Sequence, residues 1–368
     1  MGKHRVAIIL DSLAIGGAER QAFNLAIGLK KSEGFEVMVL ALTVTGKGEE
    51  ILKKHDVRFN VLNFEYSYRK LKILKLITSL KKEIKANDIN VLIPFTYWPN
   101  VLANNARSKS IRFSVWNQRD EGRKTFGTYF EKKAIAKADQ LISNSFLGKN
   151  FVADFYNQPK ESILVINNGV ELANVKNSRT EWRSRLNISD HTKLVVMVAN
   201  LHHYKDHSTL IEAWAKVLTS SEGNFMLALA GRPQGMEEKI DSRCKELKIS
   251  DSVKILGPVD DIAGLLGASD LVVHSSDNEG CPNSVLEAMV AEKPVVATRI
   301  GGTEQALGDD YKYLSVSQDP ESLSQSILTL LIDKDLAIEV GLSNKKRVAS
   351  DFSKSKMIDT YKNLILSH

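Results

Sequence analysis

The sequence predicts an α/β protein of two doubly wound domains, and three observations carry that prediction. Short runs rich in Val, Ile and Leu alternate with helical periodicity along nearly the whole chain. The alternation lapses once, over the polar residues 172–190, and then resumes, so an interdomain linker is expected there. The length, 368 residues, exceeds one compact core and fits two domains of ordinary size. Alternating strands and helices call for parallel sheets, each with its ligand crevice at the carboxyl ends of its strands.

In the first half, Arg5 to Leu10 reads as a buried parallel strand. A turn containing Gly16 and Gly17 leads into a helix carrying Phe23, Leu25, Ala26 and Leu29. The turn lacks the G-x-G-x-x-G spacing, which counts against NAD. Its glycines would let a ligand approach the backbone at a helix start, although a plain strand-to-helix turn has the same letters. Strands follow at 36–42 and 57–62. Between Tyr66 and Lys85, Leu71, Leu74, Ile77, Leu80 and Ile84 form one stripe, and Arg69, Lys70, Lys72, Lys75, Lys81, Lys82 and Lys85 form a basic side. Such a helix can lie on an anionic membrane, or it can pack on the sheet with a solvated charged face. Strands at 90–94, 111–116, 140–143 and 162–166 complete the half. Asn117-Gln118-Arg119-Asp120 falls at the carboxyl end of one of them.

The second half repeats the pattern. A strand at 194–199 leads into the loop Asn200-Leu-His202-His-Tyr-Lys205-Asp206, and Thr209-x-x-Glu212 can cap the helix that follows. The strand at 225–230 ends in Gly231-Arg232, and the strand at 252–256 leads to Val259. A short helix over 262–268 feeds a strand at 270–276. After it comes Glu279-Gly280-Cys281-Pro282-Asn283-Ser284-Val285-Leu-Glu287, which reads as a tight loop and a helix start with Pro282 in the first turn. A helix start offers backbone N–H groups and partial positive charge, a ready site for phosphate. With an acid on either side, the cradle suits a nucleotide-sugar donor. Ser284-x-x-Glu287 fits a capping box equally well, and Glu279 alone could be a surface acid. A strand at 294–298, a turn at 299–304 and a last strand at 311–316 precede helical patterns that run nearly to His368.

Composition removes several classes. No apolar stretch reaches the ~18 residues of a membrane span, and the N-terminal apolar run is too short for a signal peptide. The two cysteines, Cys244 and Cys281, make no disulfide framework and suggest a reducing cytoplasm. No His or Cys cluster has metal-ligand spacing, and the sole Asp-x-Asp, at 333–335, lies in a helical pattern. Net charge is +6 but uneven: residues 1–175 hold 27 Lys and Arg against 17 Asp and Glu, and the remainder 23 against 27. A basic half could face nucleic acid, an anionic membrane or a phosphate-bearing substrate.

Gly-Gly-Ala-Glu-Arg at 16–20, Asn-Gly-Val-Glu at 168–171, Leu-x-x-x-Lys at 201–205, Glu-x7-Glu at 279–287 and Gly-Gly-Thr at 301–303 occur in this order. The set resembles the family-4 retaining glycosyltransferases of GT-B fold, with two Rossmann-like domains facing a deep cleft, over nearly the whole chain. The resemblance implies an acceptor-binding domain at 1–175, a nucleotide-sugar-binding domain at 190–350, and a terminal helix at 351–368 that packs back on the first domain. It implies a donor diphosphate held by Lys205 and the backbone of Asn283, Ser284 and Val285, ribose hydroxyls on Glu287, and the donor sugar against Glu279. Gly16 and Gly17 would line the phosphate and acceptor side. Gly231, Arg232, Val259, Gly280, Cys281 and Pro282 are grouped with the donor site.

The sequence departs from the family at three places. An Arg common after the first strand of the second domain is Asn200 here, with His202 as its substitute. The acid expected at 305 is Gln305, with Glu304 one step earlier. A frequent active-site His is absent from the first domain; Asn117 to Asp120 take roughly that place, and Arg119 or Asp120 is expected to touch donor or acceptor.

The expected activity is transfer of a hexosyl unit from a nucleoside-diphosphate sugar, a UDP-sugar by analogy, to a hydroxyl on a glycan or lipid-linked acceptor. No metal and no cofactor are expected, nor nucleic acid as a partner; a cytoplasmic protein is, with peripheral contact to an anionic membrane through the basic half. Paired carboxylates would also serve a glycoside hydrolase, but here both lie beside a phosphate cradle. A sugar-nucleotide epimerase of the same fold and a non-catalytic sugar-nucleotide or polyanion binder remain as alternatives.

Overall fold

A computed structural model of the chain describes residues 3–122 and 125–368. The chain divides into two compact units, Met1–Gly169 with Lys354–His368, and Val170–Ser353.

The first unit is built on a seven-stranded parallel sheet. Its strands are β1 (His4–Leu10), β2 (Phe35–Ala41), β3 (Arg58–Val61), β4 (Val91–Pro94), β5 (Phe113–Gln118), β6 (Gln140–Ser143) and β7 (Ile163–Val165), in the order β3-β2-β1-β4-β5-β6-β7. Side chains alternate across the sheet, as a strand buried on both faces requires. Val6, Ile8 and Leu10 of β1 enter one core, with Phe23, Leu25 and Leu29 of α1 (Gly17–Lys30). Ala7 and Ile9 enter the other. That second face is covered by α3 (Lys70–Ala86), α4 (Tyr97–Ala106), α5 (Tyr129–Lys137) and α6 (Phe146–Tyr156); the short α2 (Gly48–Lys54) lies with α1. Of the stripe expected on α3, Ile77, Leu80 and Ile84 are buried, but Leu71 and Leu74 are exposed. The stripe is therefore buried only from Ile77 onward, and before it Ile73, outside the expected stripe, is the residue that enters the core.

The second unit has a six-stranded parallel sheet. Its strands are β8 (Lys193–Val198), β9 (Phe225–Ala230), β10 (Val253–Gly257), β11 (Leu271–His274), β12 (Val295–Thr298) and β13 (Leu314–Ser315), ordered β10-β9-β8-β11-β12-β13. Three expectations are corrected here. Residues 172–190 are not a linker: they carry α7 (Arg179–Arg185), closed by a capping box of Ser178 and Glu181, with Trp182 and Arg183 buried. Its polar letters hide the fact that Arg183 is spent on the carbonyls of Ala268 and Ser189. The helix α8 (His207–Ser220) is capped by Asp206, whose carboxylate accepts from the Thr209 N–H at 3.1 Å, and not by Thr209. The last strand shrinks to two residues, and the turn at 299–304 winds into α12 (Gly301–Leu307).

The remaining helices of this unit are α9 (Glu237–Glu246), α10 (Ile262–Ala268), α11 (Asn283–Val290), α13 (Pro320–Ile332) and α14 (Lys334–Asp351). The terminal helix α15 (Lys354–Leu366) belongs to the first unit, where Met357, Tyr361 and Ile365, four apart, join the α1 core. Gly169 marks the place where the chain leaves that unit. A Cβ there would lie 2.8 Å from Lys354 Cα, and its N–H donates to buried Gln21 at 2.9 Å.

Candidate functional site

Open parallel sheets bind ligands where the strand order reverses. In the second unit that point lies between β8 and β11. The loop after β8 ends in a turn of 3-10 helix, His203–Lys205, and the loop after β11 carries Glu279. The two loops are stitched together: the Tyr204 carbonyl accepts from the Asp277 N–H and the Ser276 hydroxyl, both at 2.9 Å. Across this seam Lys205 Nζ forms an ion pair with Glu279 Oε1. Glu279 is buried, not a surface acid. Ser276 Oγ and His274 Nε2 each lie 3.4 Å from the same carboxylate oxygen.

The helix α11 begins immediately afterwards. Pro282 is its N-cap rather than a first-turn residue, and no cap side chain bonds to the first-turn N–H groups. Ser284 therefore cannot form the capping box that its spacing allows; its hydroxyl lies 3.4 Å from His274 Nδ1 instead. Glu287 is buried one turn along. The result is a helix start with its electropositive end uncovered by a capping side chain, bracketed by Lys205, Glu279 and Glu287.

Neighbouring loops hold this arrangement. Ser276 and Thr298 exchange hydrogen bonds, the Ser276 N–H to Thr298 Oγ1 at 2.9 Å and the Thr298 hydroxyl to the Ser276 carbonyl at 2.6 Å. Gly302 in α12 admits no side chain, because a Cβ would fall 2.3 Å from the Glu279 carbonyl oxygen. Gly231 is equally closed, with a Cβ 1.9 Å from the Ala199 carbonyl oxygen. Asn200 Oδ1 accepts from the Arg232 N–H at 3.1 Å, joining the loops after β8 and β9. His202 stacks obliquely on Tyr204, 4.4 Å between ring centres. Val259 is half-buried in the loop after β10, and Cys281 is a buried thiol in no disulfide. Gln305 supplies its carbonyl to Arg347, and Glu304 pairs with Arg299.

Two buried histidines that the sequence reading passed over flank the ion pair. His274 is held neutral by burial, reinforced by the charge of Lys205 and by His207. His207, fully buried, is pushed down to about 4 by burial, with the Lys205 charge acting in the same direction. The signal for His274 was its place as the last residue of a strand pointing at the motif.

In the first unit the strand order reverses between β1 and β4. Asp11, immediately after β1, accepts from Thr96 at 2.6 Å and from the Tyr66 hydroxyl at 2.5 Å. Burial and the nearby Asp11 carboxylate push the Tyr66 phenol well up. Thr96 has φ +73° and ψ 178°, a conformation nearly confined to glycine, and such strain concentrates at working sites. None of these three was singled out as a site residue from the sequence; Asp11 could have been, as the acid immediately after the first strand. Gly16 caps α1 in extended conformation, and Gly17 opens that helix. Arg119 lies over the Phe95 ring at 5.1 Å and donates to Asn168 at 2.5 Å, so it supports the Asn168-Gly169 crossing. Asp120 closes its own turn, accepting from Gln118 at 2.6 Å and the Gly122 N–H at 2.9 Å. Among the described residues no group of three or more His, Cys, Asp or Glu could hold a metal ion, and no helix is long and apolar enough to cross a membrane.

Two parallel-sheet units with this site define a glycosyltransferase of GT-B type, and known proteins agree. Residues 15–174 match the family described as Glycosyltransferase Family 4, and residues 178–347 the family described as Glycosyl transferases group 1. The chain belongs to these family-4, group-1 glycosyltransferases. It is 27% identical over 209 residues to N-acetyl-alpha-D-glucosaminyl L-malate synthase of Bacillus anthracis, covering 56% of this chain and 54% of that protein. The chain thus spans about half the length of that relative. An uncharacterized glycosyltransferase of Haemophilus influenzae is 23% identical across 97% of this chain and 98% of its own. The Anabaena Alr3699/HepE structure in complex with UDP-glucose superposes with a TM-score of 0.83 at 19% identity, covering 99% of this chain and 100% of that one, which establishes the shared fold.

Proposed function

We propose that this glycosyltransferase moves a hexosyl unit from a UDP-sugar to a hydroxyl of a glycan or lipid-linked acceptor, with retention at the anomeric carbon. The observation that carries the reading is the Lys205–Glu279 ion pair seated at a strand-order reversal beside the uncapped start of α11. The diphosphate sits on the α11 start, neutralised by Lys205 and assisted by Arg232 and His202. Glu287 takes the ribose hydroxyls. Glu279, oriented by Lys205, contacts the sugar. The carboxyl edge of the first sheet, with Gly16 and Gly17, takes the acceptor.

In the reaction the bond from the anomeric carbon to the β-phosphate oxygen breaks, and the acceptor oxygen forms its bond from the same face. The acceptor proton passes to the departing phosphate oxygen. The charge that develops on that phosphate is met by Lys205 and the helix start, so positioning and electrostatics lower the barrier. The reaction proceeds without a protein nucleophile, a metal or a cofactor. The UDP-bound form of the Anabaena structure supports the base assignment by fold analogy only.

A donor screen reading released nucleotide, with and without lipid acceptors, tests this. Release from one UDP-sugar, dependent on acceptor and lost in Glu287→Ala, is the expected result. Product formed from donor alone would point to an epimerase. Saturable donor binding without transfer across the panel would leave a binding protein.

A further inference from the structure

The first turn of α3 and the segment before it expose an unusual amount of apolar surface. Tyr68 is 62% exposed, Leu71 81%, Leu74 42% and Phe126 57%. Tyr68, Leu71 and Leu74 recur three apart, and the rings of Tyr68 and Phe126 meet edge to face with centroids 5.4 Å apart. Beneath them Trp98 packs on Tyr68 at 5.3 Å and on Tyr66 at 4.7 Å, and Tyr97 meets Phe126 at 5.5 Å. These are side chains on a firm aromatic base, not a frayed end. A contiguous apolar surface of this kind marks a contact site.

Charge decides what it contacts. Residues 66–82 contain six Lys and Arg and no Asp or Glu. Arg69, Lys70, Lys72 and Lys75 are all exposed around the apolar side chains. Aromatic rings among basic residues are the composition of a surface that rests at the boundary between headgroups and acyl chains. Ile73, Ile77, Leu80 and Ile84 of α3 are buried in the core, so the helix does not lie along a bilayer; only the side bearing Leu71 and Leu74 at its start is available.

We infer that Tyr68, Leu71, Leu74 and Phe126, rimmed by Arg69, Lys70, Lys72 and Lys75, dock this protein on an anionic lipid bilayer. The aromatic base runs through Tyr66 to Asp11 at the strand-order reversal of the first sheet. A bilayer seated here brings lipid-borne headgroups to the edge assigned above to the acceptor. That consequence rests on the proposed transfer reaction, whereas the docking itself does not.

The test uses the full chain and vesicles without any donor. The protein should co-sediment with vesicles of phosphatidylcholine and phosphatidylglycerol, and at least 10-fold less with phosphatidylcholine alone or in 0.5 M salt, a screening effect. The triple variant Tyr68→Ser, Leu71→Ser, Phe126→Ser should lose at least 10-fold in partitioning while keeping its thermal midpoint within a few degrees. Ile338→Ser with Leu342→Ser, two exposed hydrophobic positions on α14, should bind as the unaltered chain does. Equal sedimentation of the triple variant, or equal binding to neutral vesicles, would overturn the inference. So would a dimer in velocity sedimentation that the triple variant abolishes, because a second copy would then be the occupant. Vesicle binding without donor turnover would leave the docking intact and refute only the transfer reaction.

Discussion

A single methyl group added at Gly302 should disable the loop that carries Glu279, proposed to contact the donor, while leaving the fold standing. The ideal Cβ lies 2.3 Å from the Glu279 carbonyl oxygen, 2.8 Å from its carbon and 2.9 Å from the Gly280 oxygen. Ordinary contact begins near 3.4 Å, so backbone on one side must retreat by about 1 Å. None of the three atoms is the end of a flexible side chain. Overpacking of this kind costs about 1–3 kcal/mol, and the better helix propensity of Ala returns up to about 1 kcal/mol of it. The thermal midpoint should therefore fall by only a few degrees. Activity should fall further, because a displacement of about 1 Å at a reacting group can cost on the order of 10²-fold. Calorimetry and steady-state nucleotide release on Gly302→Ala would measure both. Gly267→Ala is the matched control, since nothing lies within 4 Å of its Cβ and α10 should gain slightly in stability. A Gly302→Ala protein with full activity would refute the claim that α12 sets the position of Glu279.

Three other outcomes are expected. Lys205→Ala should cut kcat by on the order of 10²-fold and leave Glu279 buried without its cation; in a double-mutant cycle with Glu279→Gln the two losses should not add. Asp261 accepts five hydrogen bonds, from the N–H groups of Lys176, Asn177 and Gly264 and from the Asn177 and Trp182 side chains. Burial alone would raise its pKa, but these bonds outweigh it and hold the carboxyl well below the usual range. Its contribution to stability is then full above about pH 4 and lost as pH falls toward the lowered value, so the midpoint difference from Asp261→Asn, read by thermal melts across pH, should shrink below about pH 4. Arg232→Ala should weaken UDP binding by roughly 10-fold in calorimetry, one charge-assisted contact's worth, and Asn200→Arg in that background should restore part of it.

The periodicity of the chain was enough to show both sheets, because strands buried on two faces leave apolar runs that turns interrupt. It failed where tertiary contacts override local letters. Arg183 and Trp182 make α7 a buried helix, yet in sequence they sit in a polar, Asn- and Arg-rich stretch. The capping readings at Thr209 and Ser284 failed for a related reason. Asp206 adopts φ +41° and reaches the helix start first, and Pro282 already occupies the cap before Ser284. The pairing of Lys205 with Glu279 brings together residues that the sequence already singled out, because each lies in one short segment. Asp11, Thr96 and Tyr66 were not singled out, because three strands far apart in sequence bring them together.

That first-sheet cluster also bears on where the acceptor proton goes. Asp11 follows β1 directly, at the edge proposed for the acceptor, which would make it the natural candidate for a base. Both of its oxygens are already engaged, one by Tyr66 and one by Thr96. Asp120, two residues after β5, is turned onto Gln118 and the Gly122 N–H. Using Asp11 as a base would require releasing a hydroxyl partner and relaxing the strained Thr96 backbone that the bond holds. Its two hydrogen bonds therefore fix the shape of this edge of the first sheet. In the proposed transfer the departing phosphate is then the simpler destination for the proton, and Lys205, paired with Glu279, is the cation that would stabilise it.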